Sequence, residues 1–403
     1  MANAAESPVY FRKGFGLKTE VRGDLASDYD GRLVDYLRAN DYTMAVGDVS
    51  IHMARDFGFC YGVERAVEYA YQARRKFADK RIFLVGEIIH NPFVNGRLQE
   101  MGIEILRPRD EKFDFSGVRA EDVVIMPAFG VTVDDFATLR TIGCVLVDTT
   151  CGSVLNVWKR VESYGRDGLT ALIHGKYYHE ETRATASQLG KYPDSQYIVV
   201  RNMDEAQLVC GFIEGRVDAA TILERFARAV SPGFDPARHL RRIGVANQTT
   251  MLARESLAIG EAVGAAIERR YGAEARAADF RTFDTICSAT QERQDAVTEL
   301  LQQPLDVMVV IGGFNSSNTI SLAALCSERV PTYHVDTAAG IDPERGTVHY
   351  RKAGIHHEEA DRERWLPDGP VRVGVTAGAS TPNAKIGETV ARILATRGLV
   401  ADL

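Results

Sequence analysis

From about residue 49 onward, short runs rich in aliphatic and β-branched residues alternate with longer stretches whose apolar positions recur at helical spacing. The runs at 82–89, 123–126, 145–148, 170–173, 197–200, 243–246, 307–311 and 371–375 read as strands. The stretches at 62–75, 153–163, 180–189, 252–270, 289–301, 318–327 and 383–396 read as helices, and most follow a strand. Regular alternation of this kind is the signature of α/β layering on mostly parallel sheets.

Three of the strand-to-helix passages share a residue. Phe59-Cys60-Tyr61-Gly62, Thr150-Cys151-Gly152 and Ile286-Cys287-Ser288 each set a cysteine where a strand or its exit turn gives way to a helix. The recurrence predicts three α/β units whose cysteines meet near one axis. The expected boundaries are an N-terminal extension at 1–48 and domains at 49–150, 151–286 and 287–403. Within the extension, Arg12-Lys13-Gly14-Phe15-Gly16 reads as an ordered loop and 28–39 as a helix, packed on the body with no chemistry of its own.

Length and composition fit this picture. A chain of 403 residues exceeds the ~250 to 300 at which single cores stop growing. Apolar residues at 45% and charged residues at 26% describe a folded chain rather than a disordered one. A formal charge of -7 argues against a general nucleic-acid binder, so any positive field for an anionic substrate must be local. Residues 1–19 contain no apolar core of the kind found in signal peptides, and the longest apolar runs are strand-sized, far short of the ~18 residues of a membrane span. A cytoplasmic protein without membrane contact is expected. Six cysteines in so long a chain are too scattered for a disulfide framework and read as reduced thiols.

A thiolate at a helix N-terminus is stabilised by the helix dipole and by unsatisfied N–H groups, which makes it a good ligand for a soft metal. Any one of the three cysteines alone reads as a packing thiol; their shared position favours a metal centre. Structural zinc prefers paired ligands of the C-x-x-C kind, and the chain has none. A cubane iron–sulfur cluster held by three thiolates remains, with one iron lacking a cysteine and able to act as a Lewis acid. Cys144, Cys210 and Cys326 lack the strand-to-helix setting and are assigned to packing.

Polar segments follow several strands, where open α/β sheets bind ligands. They are His90-Asn91-Pro92, the stretch from His174 through His179-Glu180-Glu181-Thr182, Asn247-Gln248-Thr249-Thr250, Asn315-Ser316-Ser317-Asn318 and Ala379-Ser380-Thr381-Pro382. Singly, the hydroxyls and amides among them are helix N-caps. The run of four at 315–318 exceeds what one cap requires, and with imidazoles and helix N-termini the set suits a phosphate or diphosphate. Neither G-x-x-x-x-G-K-[ST] nor G-x-G-x-x-G occurs, so a nucleotide is not indicated. His356-His357-Glu358-Glu359 lies in a polar stretch and reads as a solvated loop rather than a metal site.

Taken in order, Gly58-Phe59-Cys60-Tyr61-Gly62-Val63-Glu64-Arg65-Ala66, Glu87-Ile88-Ile89-His90-Asn91-Pro92, Asp148-Thr149-Thr150-Cys151, His179-Glu180-Glu181, Gln248-Thr249-Thr250, Ile286-Cys287-Ser288-Ala289-Thr290, Asn315-Ser316-Ser317-Asn318 and Thr376-Ala377-Gly378-Ala379-Ser380 resemble the motifs of one family. It is the LytB family of 4-hydroxy-3-methylbut-2-enyl diphosphate reductases, which catalyse the last step of the non-mevalonate isoprenoid route. The resemblance implies three α/β domains in pseudo-threefold arrangement around a [4Fe–4S] cluster on Cys60, Cys151 and Cys287. It implies that His90, His179, Ser316, Ser317, Asn318 and Ser380 bind the diphosphate. Glu181 then supplies protons, with Thr249 positioning the substrate hydroxyl or a water. The implied reaction is reductive dehydroxylation to isopentenyl and dimethylallyl diphosphate, with electrons from ferredoxin or flavodoxin. An open-iron [4Fe–4S] hydro-lyase acting on a small anion is the alternative enzyme class, and a zinc-bound or metal-free binding protein the non-enzymatic one. Where many bacterial members carry a histidine, this chain reads Ala128-Phe129-Gly130. That segment and the long extension look more like the plant and cyanobacterial branch.

Overall fold

The computed structural model describes residues 9–353 and 358–401. The chain forms two compact units. The first takes the chain up to Arg12, Asp79–Gly86 and Glu104–Cys287; the second takes Lys13–Ala78, Glu87–Ile103 and the chain from Ser288 onward.

The first unit holds two sheets. One runs in the order Tyr10–Phe11, Val145–Asp148, Val123–Met126, Ile82–Val85, Ile103–Leu106, and its first four strands pair in parallel. The other runs Phe280–Thr282, Ile243–Asn247, Thr170–His174, Tyr197–Val200 and is parallel throughout. Every residue of Val123–Met126, Val145–Asp148, Thr170–His174 and Ile243–Asn247 is buried, as expected of strands covered on both faces. Leu172, Ile198 and Val245 share a core with Val161 of the helix Gly152–Arg166 and with Ile259 and Val263 of the helix Ala253–Tyr271. The two-residue strand Tyr10–Phe11 of the extension lies beside Leu146 and Val147.

The second unit holds one eight-stranded sheet. Its parallel centre is Thr332–Val335, Val307–Ile311, Val371–Ala377 and Val49–Met53. Antiparallel strands flank it, Thr43–Val46 on one side and Thr347–Arg351, with Ile341–Asp342 and Glu359–Glu363, on the other. Alternate residues of the central strands point into different cores. Val309, Val373 and Val375 meet Val34, Ile386 and Val390, while Met308 and Val310 meet Val297 and Leu322.

The α/β class with mostly parallel sheets is as expected, with some local departures. The strand at 82 ends at Val85, because Gly86 takes a left-handed φ of 70° and turns the chain before His90. The helix expected at 28–39 is broken, with Lys18–Tyr29 ending before Arg32–Ala39 begins. His356 and His357 lie outside the described residues. Glu359 opens the mostly exposed strand Glu359–Glu363 instead of sitting in a loop, since Thr347–Arg351 offers it a pairing edge. No helix among the described residues is long and apolar enough to cross a membrane.

Candidate active site

In the first unit, the residues singled out in the sequence lie beyond the C-terminal ends of strands, where backbone leaves the sheet and polar groups become available. Cys151 caps the helix Gly152–Arg166 three residues after the strand ending at Asp148. Its own amide donates to the carbonyl of Ala128 at 2.9 Å. Buried Asp148 braces the same turn, accepting from Thr150 N at 2.9 Å and from the Tyr10 hydroxyl at 2.6 Å, with Arg12 Nε at 3.3 Å. The extension thus packs on the body through two side chains that meet Asp148 in the turn before Cys151.

His179 caps the helix Glu180–Ser187 by accepting the Glu181 amide on Nδ1 at 3.1 Å. An accepting Nδ1 leaves Nε2 as the nitrogen that carries hydrogen. The Phe129 ring stands edge-on to this imidazole, with centroids 5.5 Å apart. Where many bacterial relatives are expected to place a second imidazole, this chain therefore places an aromatic wall that packs against His179.

Glu181 is 1% exposed. Thr249 donates to both of its oxygens, the backbone N–H to Oε1 at 2.6 Å and the hydroxyl to Oε2 at 3.0 Å. Thr249 follows the strand Ile243–Asn247, and its carbonyl accepts the amide of Cys287 at 3.3 Å. A further clip, Asn247 N to Thr285 Oγ1 at 2.8 Å, holds the segment before Cys287 against the same strand end. The neighbouring Gln248 accepts from Lys176 N and from the Thr182 hydroxyl, both at 3.1 Å, and so fixes the loop leading to His179. Gln248 had no assigned role in the sequence reading, although it stands inside a quoted motif.

In the second unit, Cys60 caps the helix Tyr61–Lys76, and its amide donates to Ala379 O at 3.2 Å. The amide of Ala379 donates in turn to Asn318 Oδ1 at 2.8 Å. Ser380 Oγ donates to the carbonyl of His90 at 3.1 Å and lies 3.5 Å from Ser316 Oγ. Ser316 caps the helix Ser317–Ser327, whose first turn has no acidic side chain. His90, Ser316, Ser317, Asn318 and Ser380 are all buried, and among the described residues Asn318 Nδ2 is a buried donor with no partner. Buried polar groups are rarely left unsatisfied, so a helix N-terminus ringed by hydroxyls with one orphaned N–H fits an anionic ligand.

The six thiols fall into two sets. Cys60, Cys151 and Cys287 are half-buried, each immediately before the first residue of a helix. Cys60 and Cys151 occupy cap positions, yet neither sulfur is used to cap a helix amide, work that serine or aspartate does far better. Cys144, Cys210 and Cys326 are fully buried, and burial pushes their thiols up, to about 11 for the first two. The first set has the chemistry of thiolate ligands and fits an iron–sulfur cluster; the second has that of core packing.

The LytB protein family model matches residues 51–394. The chain belongs to the LytB family. LytB proteins named 4-hydroxy-3-methylbut-2-enyl diphosphate reductase resemble it over nearly their whole length. The one from Thermosynechococcus vestitus is 46% identical over 391 residues, 97% of this chain and 95% of that protein. The one from Gloeobacter violaceus is 46% identical over 401 residues, 98% of this chain and 94% of that protein. Among solved LytB structures, (E)-4-hydroxy-3-methyl-but-2-enyl diphosphate reductase, the terminal enzyme of the non-mevalonate pathway, is 28% identical with a TM-score of 0.50, covering 85% of this chain and 98% of that one. The Plasmodium falciparum reductase, at 20% identity, shares the fold with a TM-score of 0.63, covering 85% of this chain and 87% of that one.

Proposed function

We propose that this chain reductively removes the hydroxyl of 4-hydroxy-3-methylbut-2-enyl diphosphate, giving isopentenyl and dimethylallyl diphosphate in the last step of the non-mevalonate isoprenoid pathway. The observation that carries the reading is kinship, at 46% identity across 97% of the chain, to a reductase of that name. Overall, two electrons and two protons convert the allylic C–OH into C–H and water.

The cofactor is a [4Fe–4S] cluster, for which Cys60, Cys151 and Cys287 are the proposed ligands. When bound, it supplies single electrons and one iron without a cysteine, a Lewis acid for the substrate oxygen. His90, His179, Ser316, Ser317, Asn318 and Ser380 hold the diphosphate. Ser380 and Asn318 meet the main chain of His90 and Ala379, so these groups are set before the ligand arrives.

Glu181 is the proposed proton donor to the departing oxygen. The Thr249 hydroxyl, which both donates and accepts, lies against Oε2, the atom from which a proton must leave. Once the proton has gone, the carboxylate keeps two donors from Thr249 and sits in the first turn of a helix, all of which stabilise the anion formed. Burial excludes water from this exchange. The electron donor is a small low-potential protein, ferredoxin or flavodoxin, and the enzyme works in the cytoplasm.

Anaerobic purification followed by assay with the hydroxymethylbutenyl diphosphate tests the reading. Both five-carbon diphosphates are expected only when a low-potential reductant is present. Turnover without reductant would assign the chain to a hydro-lyase instead.

A further inference from the structure

We propose that Glu87, to which no role is assigned above, is a positioning residue for the diphosphate site. Its carboxylate orients His90 and, through Asn315, ties that imidazole to the helix start that carries Ser316, Ser317 and Asn318. The inference rests on the reading of these residues as diphosphate ligands.

Oε2 of Glu87 receives His90 Nδ1 at 2.8 Å and Asn315 Nδ2 at 3.0 Å. Asn315 Nδ2 lies 3.3 Å from His90 Nδ1, so two donors converge on one carboxylate oxygen. The His90 main chain is held by other means. Ser380 donates to its carbonyl, and Gly313 approaches the same oxygen so closely that a Cβ there would stand 2.7 Å away. The imidazole ring is held separately, through the bond of Nδ1 to Glu87.

A carboxylate only accepts, so Nδ1 carries the hydrogen in this pair. A diphosphate oxygen also only accepts. A bond from the ring to that oxygen must therefore come from Nε2, whose direction the contact at Nδ1 sets. The Glu87 side chain is 31% exposed, and ion pairs near the surface add little to stability. What the pair contributes is the direction of one ring. Asn315 extends the effect, because it immediately precedes the cap residue Ser316 and shares the same carboxylate oxygen.

The test uses the full-length, cluster-loaded protein and the variants E87A and E87Q. Inorganic diphosphate binding is measured by anaerobic calorimetry, and KM and kcat are measured with the hydroxymethylbutenyl diphosphate and a chemical reductant. E87A is expected to weaken diphosphate binding and raise KM ~10-fold, with kcat and iron content little changed, the loss expected of one charge-assisted hydrogen bond. E87Q keeps an accepting oxygen without the charge and should fall between E87A and wild type. Unchanged diphosphate affinity in E87A, or a fall in kcat at constant KM, overturns the proposal. Should E87A lose iron or fold poorly, the isosteric E87Q decides, and wild-type affinity in it overturns the proposal as well. Failure of the wild-type protein itself to bind inorganic diphosphate counts against the site reading and not against Glu87 in particular.

Discussion

The amide of Cys287 donates to the carbonyl of Thr249, and the same threonine donates twice to Glu181. One residue thus joins a candidate cluster ligand to the candidate proton donor. The two links use different atoms of Thr249, its carbonyl on one side and its amide and hydroxyl on the other. A change confined to the hydroxyl therefore reaches the acid and leaves the Cys287 turn in place, which separates chemistry from assembly.

Glu181→Gln keeps the shape and both contacts to Thr249, with the side-chain amide donating to the hydroxyl in place of the carboxylate accepting from it. It has no proton of suitable acidity to give. Iron content and substrate affinity should stay near wild type while turnover falls at least ~100-fold, the scale of a positioned general acid. Single-turnover kinetics on the loaded enzyme measure this, and near-normal rates would remove Glu181 from the reaction.

Thr249→Val removes the hydroxyl and retains the backbone N–H that meets Oε1 at 2.6 Å. The carboxylate stays in place and loses the group beside Oε2. Turnover is expected to drop ~10-fold or more while iron content is unchanged, and Thr249→Ser should restore most of the rate. A valine variant as fast as wild type means that the hydroxyl carries no proton and orients no oxygen.

Much of this was legible in the sequence because it is local. Val123–Met126, Val145–Asp148, Tyr197–Val200 and Val307–Ile311 begin and end where their residues indicate, since aliphatic runs bounded by polar turns leave little freedom. The cap at Ser316 was marked by residue type in the same way, whereas an imidazole such as His179 is not a usual cap. What was not legible is non-local. Nothing in Val49–Met53 shows that it pairs with Val371–Ala377, more than 300 residues away, or that Tyr10 and Arg12 reach Asp148. Glu87 stood in a quoted motif three residues before His90, but a carboxylate at that spacing is ordinary until its bond to Nδ1 is seen. The hairpin of Thr347–Arg351 and Glu359–Glu363 was missed because its second strand is charged and exposed, with no apolar run to mark it.

The two sets of cysteines should separate on substitution. Cys60→Ser, Cys151→Ser and Cys287→Ser exchange a soft ligand for a hard one and should each lose most of the ~4 irons and ~4 sulfides expected per chain. Cys144→Ala and Cys326→Ala lie in buried apolar clusters. These should keep their iron and lose on the order of 1 kcal/mol of stability from the space left behind. Iron and sulfide analysis of anaerobically purified variants gives the answer. Full iron in any of the three serine variants would end that residue's claim as a ligand.

Asn318 has two functions on two atoms, because Oδ1 accepts the Ala379 amide and Nδ2 has no partner among the described residues. Asn318→Asp keeps the first and replaces the second with an oxygen of negative charge. Against a diphosphate this substitution turns attraction into repulsion, so KM should rise ~100-fold, well beyond the loss of one neutral hydrogen bond. The shared Oδ1 contact should preserve the thermal midpoint. Equal KM values for wild type and variant would show that Nδ2 does not face the ligand.

Stability should respond to acid through two histidines outside this chemistry. His174 and His334 are 0% and 2% exposed, and burial pushes both rings down to about 4. Unfolded, each returns to the ordinary value of ~6.5, so between pH ~6.5 and 4 the unfolded chain binds more protons than the folded one. Their contribution is complete above that window and is lost as pH falls through it, on the order of 3 kcal/mol for each ring. His334→Gln removes one titrating group along with its 2.8 Å contact to Gly312 O, and so begins from a lower stability at pH 7. The gap between wild type and variant should then shrink steadily toward pH 4.5 in anaerobic denaturant titrations. A gap that stays constant across that range would mean that His334 takes up its proton without unfolding the chain.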